Sequence, residues 1–212
     1  MTATTNDVQS TVYIVDDDAE LCQSLEWLIH SVGLRARVYS SANEFLRHVE
    51  PVPSGCLVLD VRMPGMSGIE LQEQLRQQGI ELPIILLTGY AEVPLVVRAM
   101  HAGAFDVIQK PFSHQALLDR IHDALAKNAA NRRVQHEKHG VQRRLSLLSE
   151  GEREVLNLLC EGKSNKEIAA SLQLTRRAIE ARRAKIMRKM QADSLAQLIR
   201  MTLQLEPVAA LA

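Results

Sequence analysis

Cys56-Leu57-Val58-Leu59-Asp60, followed by the turn Met63-Pro64-Gly65-Met66-Ser67-Gly68, is an unbroken apolar run that stops at a carboxylate. Such a run without polar alternation reads as a buried strand. Its carboxylate then stands at the C-terminal mouth of the strand, the edge where open parallel sheets place their chemistry. Three more apolar runs end in polar groups: Val12-Tyr13-Ile14-Val15 in Asp16-Asp17-Asp18, Ile84-Ile85-Leu86-Leu87 in Thr88, and Phe105-Asp106-Val107-Ile108-Gln109 in Lys110-Pro111.

Between these runs lie segments of helical periodicity at residues 21–32, 42–49, 69–78, 94–101 and 115–126, with a weaker strand around Val38. Strands alternating with helices predict an α/β domain with a doubly wound, five-stranded parallel sheet over residues 11–127. Because crossovers are right-handed, Asp16, Asp17, Asp60, Thr88 and Lys110 are expected on one rim. Asp18 reads instead as the N-cap of the helix after it. Residues 128–145 are polar and too poor in apolar side chains to form a core. They read as a linker that continues the preceding helix for some turns, until Gly140 weakens it.

Residues 146–207 read as a small all-α domain of four helices. Ser149 and Glu152 form a capping box ahead of Val155-Leu156, and Gly162 ends that helix. A short helix spans 165–172, Thr175 caps a third running to about Met190, and a fourth begins near Ser194 with Leu195, Leu198, Ile199 and Leu203 at helical spacing. Two helices split by a tight break, the later one dense in arginine and lysine, predict a helix-turn-helix.

Charge divides along the same boundary. The net charge is zero, yet residues 1–127 hold 9 Lys and Arg against 16 Asp and Glu, whereas residues 143–212 hold 13 against 8. Only the basic end is suited to a polyanion such as nucleic acid. No stretch approaches the ~20 apolar residues of a membrane span, and residues 2–10 lack the pattern of a secretion signal, so no membrane association and a cytoplasmic location are expected. Cys22, Cys56 and Cys160 show neither pairing nor metal-ligand spacing and read as reduced, structural thiols.

Three carboxylates converging on one point repel one another unless a cation occupies the centre. Oxygen-only ligands suit Mg²⁺. With charge neutralised, a carboxylate in line could accept a phosphoryl group, while Thr88 hydrogen-bonds one phosphoryl oxygen and Lys110 pairs with another. In the later helix, Ile179, Ile186 and Met190 make an inward stripe and Glu180, Ala181, Ala184 and Arg188 an outward one. Arg176, Arg177, Arg182, Arg183, Lys185 and Lys189 supply positive charge around it for phosphates or guanine edges.

Ile14-Val15-Asp16-Asp17, Leu59 to Gly68, Leu87-Thr88-Gly89 and Lys110-Pro111-Phe112 resemble the receiver domain of bacterial two-component response regulators, which has a flavodoxin-like fold. The resemblance implies that Asp60 is the phosphoacceptor, that Asp17, Asp60 and the carbonyl of Arg62 bind Mg²⁺ with help from Asp16 through water, that Thr88 and Lys110 are switch residues, and that Lys110-Pro111 is cis. Leu148 to Leu156, Gly162 to Ala169 and Ala178 to Met190 resemble the LuxR-type DNA-binding domain, so the whole chain looks like a FixJ/NarL-type regulator, nearer FixJ. That implies a sensor histidine kinase, double-stranded promoter DNA and RNA polymerase as partners, and a homodimer on phosphorylation. It further implies DNA contacts from Lys166, Arg176, Arg177, Glu180, Ala181, Arg183, Ala184, Lys185 and Arg188, with Leu195, Leu198 and Ile199 at the dimer contact.

Two departures stand out. Where the family usually carries an aromatic three residues before the lysine, this chain has Val107, so Tyr90 or the Thr88 loop is expected to carry part of the coupling. Where the family usually reads Thr-Val-Glu-Val-His-Arg, this chain has Ala178-Ile179-Glu180-Ala181-Arg182-Arg183, so its preferred DNA sequence is expected to differ. A phosphotransferase or phosphatase would need a second acid/base and a substrate pocket, neither visible, and the chain reads as no enzyme. The alternative is a DNA-binding regulator whose receiver only dimerises, independent of phosphate.

Overall fold

A computed structural model of the chain describes residues 10–51, 53–90, 93–203 and 205. Residues 2–9, expected to be no secretion signal, and 206–207, expected to end the second domain, lie outside the described residues. The chain divides into two compact units at Arg132/Arg133.

In the first unit, β1 (Thr11–Val15), β2 (Arg35–Tyr39), β3 (Gly55–Asp60), β4 (Ile84–Thr88) and β5 (Asp106–Gln109) form one parallel sheet in the order β2-β1-β3-β4-β5. Every residue of β1, β3 and β4 is buried, which is why these runs show no polar alternation. Alternate side chains feed two cores. Tyr13, Leu57, Leu59 and Leu86 pack with Phe45 of α2 (Ala42–His48), Leu71 and Leu75 of α3 (Gly68–Gln77) and Ala99 of α4 (Val93–His101). Ile14, Val58, Ile85 and Leu87 pack with Leu25 and Ile29 of α1 (Ala19–Ser31) and with Leu117 and Ile121 of α5 (His114–Ser146). Each fully buried aliphatic side chain stabilises the fold by about 1.5–3 kcal/mol relative to exposure. The switch in strand order at β1 and β3 opens a crevice above their C-terminal ends.

Helix α5 runs on through residues 128–145 to Ser146, Gly140 included. The roughly 1 kcal/mol that a glycine costs a helix interior is offset here by tertiary burial at both ends of the segment. Asn128 is buried in the first unit, and Val141 is buried in the core of the second.

The second unit comprises α6 (Glu150–Cys160), α7 (Asn165–Ser171), α8 (Arg176–Met190) and α9 (Leu195–Leu203) around Val155, Leu156, Ile168, Ile179, Ile186, Met190 and Leu198. Ser149/Glu152 and Ser164/Glu167 close reciprocal capping boxes, and Thr175 caps α8. One correction follows from the core: Leu198, expected at a dimer contact, is fully buried within its own unit, and its side chain is unavailable to a partner. Helical spacing finds an apolar stripe without saying which part of it the domain itself consumes.

Candidate functional site

Asp16 follows the last residue of β1, Asp60 ends β3, Thr88 ends β4 and Lys110 follows β5, so the sheet brings all four to one rim. Carboxylate oxygens of Asp16, Asp17 and Asp60 lie within 4.8 Å of one another. The Lys110 ammonium donates to Asp60 Oδ1 at 2.6 Å and to Asp16 Oδ2 at 2.8 Å. The second oxygens are held by backbone: Arg62 N–H donates to Asp60 Oδ2 at 2.6 Å, and Asp18 N–H to Asp16 Oδ1 at 3.0 Å. Asp18 itself caps α1, accepting from the N–H groups of Glu20 and Leu21, as its place after β1 predicted. The Lys110-Pro111 peptide is cis.

Gly68 sets the turn beneath Asp60. Its N–H donates to the Val61 carbonyl at 3.0 Å. A Cβ at this position would lie 2.2 Å from the carbonyl oxygen of Asp60. The first turn of α3 therefore closes against the strand end only because residue 68 has no side chain.

Burial pushes the Asp60 carboxyl above the usual aspartate range. The Lys110 hydrogen bond pulls it down, the Asp16 charge pushes it up again, and the net direction is upward. Burial alone would lower Lys110, but its hydrogen bonds to Asp16 and Asp60 outweigh that and hold the ammonium above its ordinary value. Three carboxylates against one ammonium leave the rim electronegative. The donor set is all oxygen and fits Mg²⁺. An open cleft of about 460 Å³, lined by Asp16, Asp17, Gln23, Glu26 and Ser40 among others, flanks it. A larger cavity of about 600 Å³ lies at the opposite ends of the strands, around Ile84 and Phe105, and holds none of these acids.

Thr88 is buried, and its hydroxyl is turned onto its own loop. Oγ1 donates to the Tyr90 carbonyl at 3.1 Å and accepts the Tyr90 N–H at 3.2 Å. Tyr90 is 62% exposed. Val107 is partly buried against the core containing Leu86 and Ala99, while Phe105 packs in the other core and does not stand in for an aromatic at 107.

In the second unit, Lys166, Arg176, Arg177, Glu180, Ala181, Ala184, Lys185 and Arg188 are exposed, which leaves them free to meet a ligand. Arg183 is half-buried and donates to Asn165 Oδ1 at 3.5 Å. Two of the cations expected to add charge around the outward stripe turn inward instead. Arg182 donates to the Gly151 carbonyl, and Lys189 to Glu152 and the Leu147 carbonyl. Leu195 is partly buried against the unit's own core, and Ile199 is partly exposed. Sequence spacing also missed Asn128, whose side chain accepts the Gly55 N–H at the start of β3; a single amide in a polar stretch gives no periodic signal.

Residues 12–122 match the response regulator receiver domain family, and residues 146–202 match the family of bacterial regulatory proteins described as luxR. The chain is 41% identical over 192 residues to the transcriptional regulatory protein FixJ of Azorhizobium caulinodans, covering 91% of each. It is 37% identical over 201 residues to the response regulator protein TmoT of Ectopseudomonas mendocina, covering 95% of this chain and 91% of that one. A low-resolution structure of the response regulator StyR matches with a TM-score of 0.85 at 40% identity, over 92% of this chain and 99% of that chain.

Proposed function

Since the chain belongs to the response regulators that join a receiver domain to a LuxR-type DNA-binding domain, we propose that Asp60 is its phosphoacceptor and Thr88 and Lys110 its switch residues. As a member, it is a phosphorylation-dependent DNA-binding transcriptional regulator. The observation that carries the assignment of Asp60 is its position: a largely buried carboxylate at the end of β3, held by Lys110 and the Arg62 N–H beside two further aspartates.

A sensor histidine kinase supplies the phosphoryl group in this reading. An Asp60 oxygen forms the bond to phosphorus while the bond from phosphorus to the kinase imidazole breaks. Lys110 is placed to shift from Asp60 to a phosphoryl oxygen without leaving Asp16, and Thr88 to donate its proton to another. Mg²⁺, held by Asp17, Asp60 and the Arg62 carbonyl with Asp16 beside it, would neutralise the charge gathered there.

The receiver spans residues 11–127 and the DNA-binding domain 146–207. Val93, Val97 and Met100 leave an exposed apolar strip on α4 that suits receiver dimerisation. On DNA, Glu180, Ala181 and Ala184 face base edges, while Lys166, Arg176, Arg177, Arg183, Lys185 and Arg188 meet phosphates or guanines. Of the three residues expected at a dimer contact, Ile199 is the one left for it, with the exposed Leu203 further along α9. The protein acts in the cytoplasm with RNA polymerase as a further partner, and no helix among the described residues is long and apolar enough to cross a membrane. Incubation with acetyl phosphate and Mg²⁺ should add one phosphoryl group to the wild type, by intact mass, and none to Asp60→Asn. Undiminished labelling of the variant would remove Asp60 from the role.

A further inference from the structure

Arg182 projects from the middle of α8, yet its guanidinium lies over the first turn of α6. Nη1 donates to the Gly151 carbonyl at 3.3 Å. A Cβ built on Gly151 would lie 2.8 Å from Nη1, 3.2 Å from Cζ and 3.5 Å from Nη2, so the planar group occupies the space a side chain would fill. Arg182 is half-buried there, unlike the exposed Arg176, Arg177, Lys185 and Arg188.

A second anchor stands seven residues on, along the same face of the helix. The Lys189 ammonium donates to Glu152 Oε2 at 2.6 Å and to the Leu147 carbonyl at 3.0 Å. The two cations, about 10 Å apart along α8, grip one end of α6 and oppose rotation of α8 about its own axis. That rotation matters: turning a helix by ~20° moves a side-chain tip ~6 Å from the axis by about 2 Å, more than a base-edge hydrogen bond tolerates.

We propose that Arg182, seated on the side-chain-free Gly151, is a positioning residue that fixes the rotation of the DNA-reading helix and is not one of its phosphate contacts. The proposal rests on the reading of α8 as the DNA-reading helix. It separates two roles that charge alone merges. A phosphate contact contributes to the salt dependence of binding, whereas a positioning residue contributes to discrimination between sequences.

The test uses the full chain with Mg²⁺ and beryllofluoride, a duplex that the wild type selects from a random-sequence library, and a random-sequence duplex as reference. Arg182→Gln is expected to keep the slope of log Kobs against log salt on both duplexes. Its ratio of selected to random affinity should fall about tenfold, the size of one lost base-pair readout. Gly151→Ala keeps every charge and should show the same fall, because its methyl group unseats the guanidinium. Its Tm should hold or rise, since alanine is the better helix former, which separates unseating from unfolding. The double variant should lose no more than either single one. A slope shallower by about 0.9 in Arg182→Gln would put Arg182 on a phosphate and overturn the proposal. An unchanged affinity ratio in both variants would overturn it too. If the wild type itself shows no salt-dependent binding and selects no duplex, the DNA-reading assignment of α8 is what has failed.

Discussion

The side-chain oxygen of Asn128 accepts the backbone N–H of Gly55 at 3.0 Å, fastening α5 to the first residue of the strand that ends in Asp60. Asn128 is 2% exposed, so neither group has water to fall back on. Asn128→Leu should leave the Gly55 N–H buried without an acceptor and lower the stability of the first unit by about 1–3 kcal/mol. Urea unfolding of the full chain, followed by far-UV circular dichroism, would measure it. A change below ~0.5 kcal/mol, the range of an ordinary surface substitution, would mean the bond contributes nothing.

Asp60 gives stability a pH dependence of definite sign. Its folded value is raised, so the folded state holds the proton more tightly than the unfolded state does. Its contribution is fully present below the unfolded value near ~3.9 and is lost as pH rises through the folded one. At neutral pH the ionised group is therefore a net cost of folding in buffer without divalent metal. Asp60→Asn should unfold at higher urea than the wild type at pH 7, and the difference should vanish as the pH falls below about 4. A variant less stable than the wild type at pH 7 would contradict the upward shift.

Gly68 admits no side chain while α3 stays where it is. A methyl group there would meet the Asp60 carbonyl oxygen, which belongs to the backbone of β3 and cannot rotate away. Gly68→Ala is expected to destabilise by about 1–3 kcal/mol and to slow acetyl-phosphate labelling of Asp60, because relief requires the strand end to move. Labelling at the wild-type rate in the folded variant would show that α3 yields instead.

The thiols of the first unit should be inert in the native state. Burial pushes Cys22 up to about 11, reinforced by the Asp16 and Asp18 charges, and pushes Cys56 up to about 12. With the ordinary value near ~8.5, at least a hundredfold less thiolate is present at pH 8, and thiolate is the species that alkylates. Iodoacetamide at pH 8 should leave both unmodified in the native chain and modify both in urea, by peptide mass mapping. Rapid native labelling of either would contradict its burial.

The rim was legible because its residues are strand ends. An apolar run that stops at a polar residue reports both the strand and the edge at which it ends, and four such stops in chain order name Asp16, Asp60, Thr88 and Lys110. Polar side chains used within the fold leave no such trace. Asn128 lies in a polar stretch, yet a single hydrogen bond buries it. Arg182 and Lys189 carry charged heads on long aliphatic stems that turn back to α6, and spacing alone placed them in the charge field around the outward stripe. Leu198 shows the converse: helical spacing marks it as apolar and the family resemblance puts it at a dimer contact, and neither says that its own core buries it.

The hydroxyl of Thr88 has a single proton, and Tyr90 holds it. On the proposed role of Asp60, a phosphoryl oxygen there and the Tyr90 carbonyl would be mutually exclusive claimants, an exclusive-or gate rather than a lever. Once the proton is withdrawn, Tyr90 keeps only the weaker half of a two-way clasp, its N–H bond to an oxygen now aimed elsewhere. On the proposed switch role of Thr88, a release of Tyr90 would signal occupancy without any ring having to fill a vacant space, which suits a chain with valine at position 107.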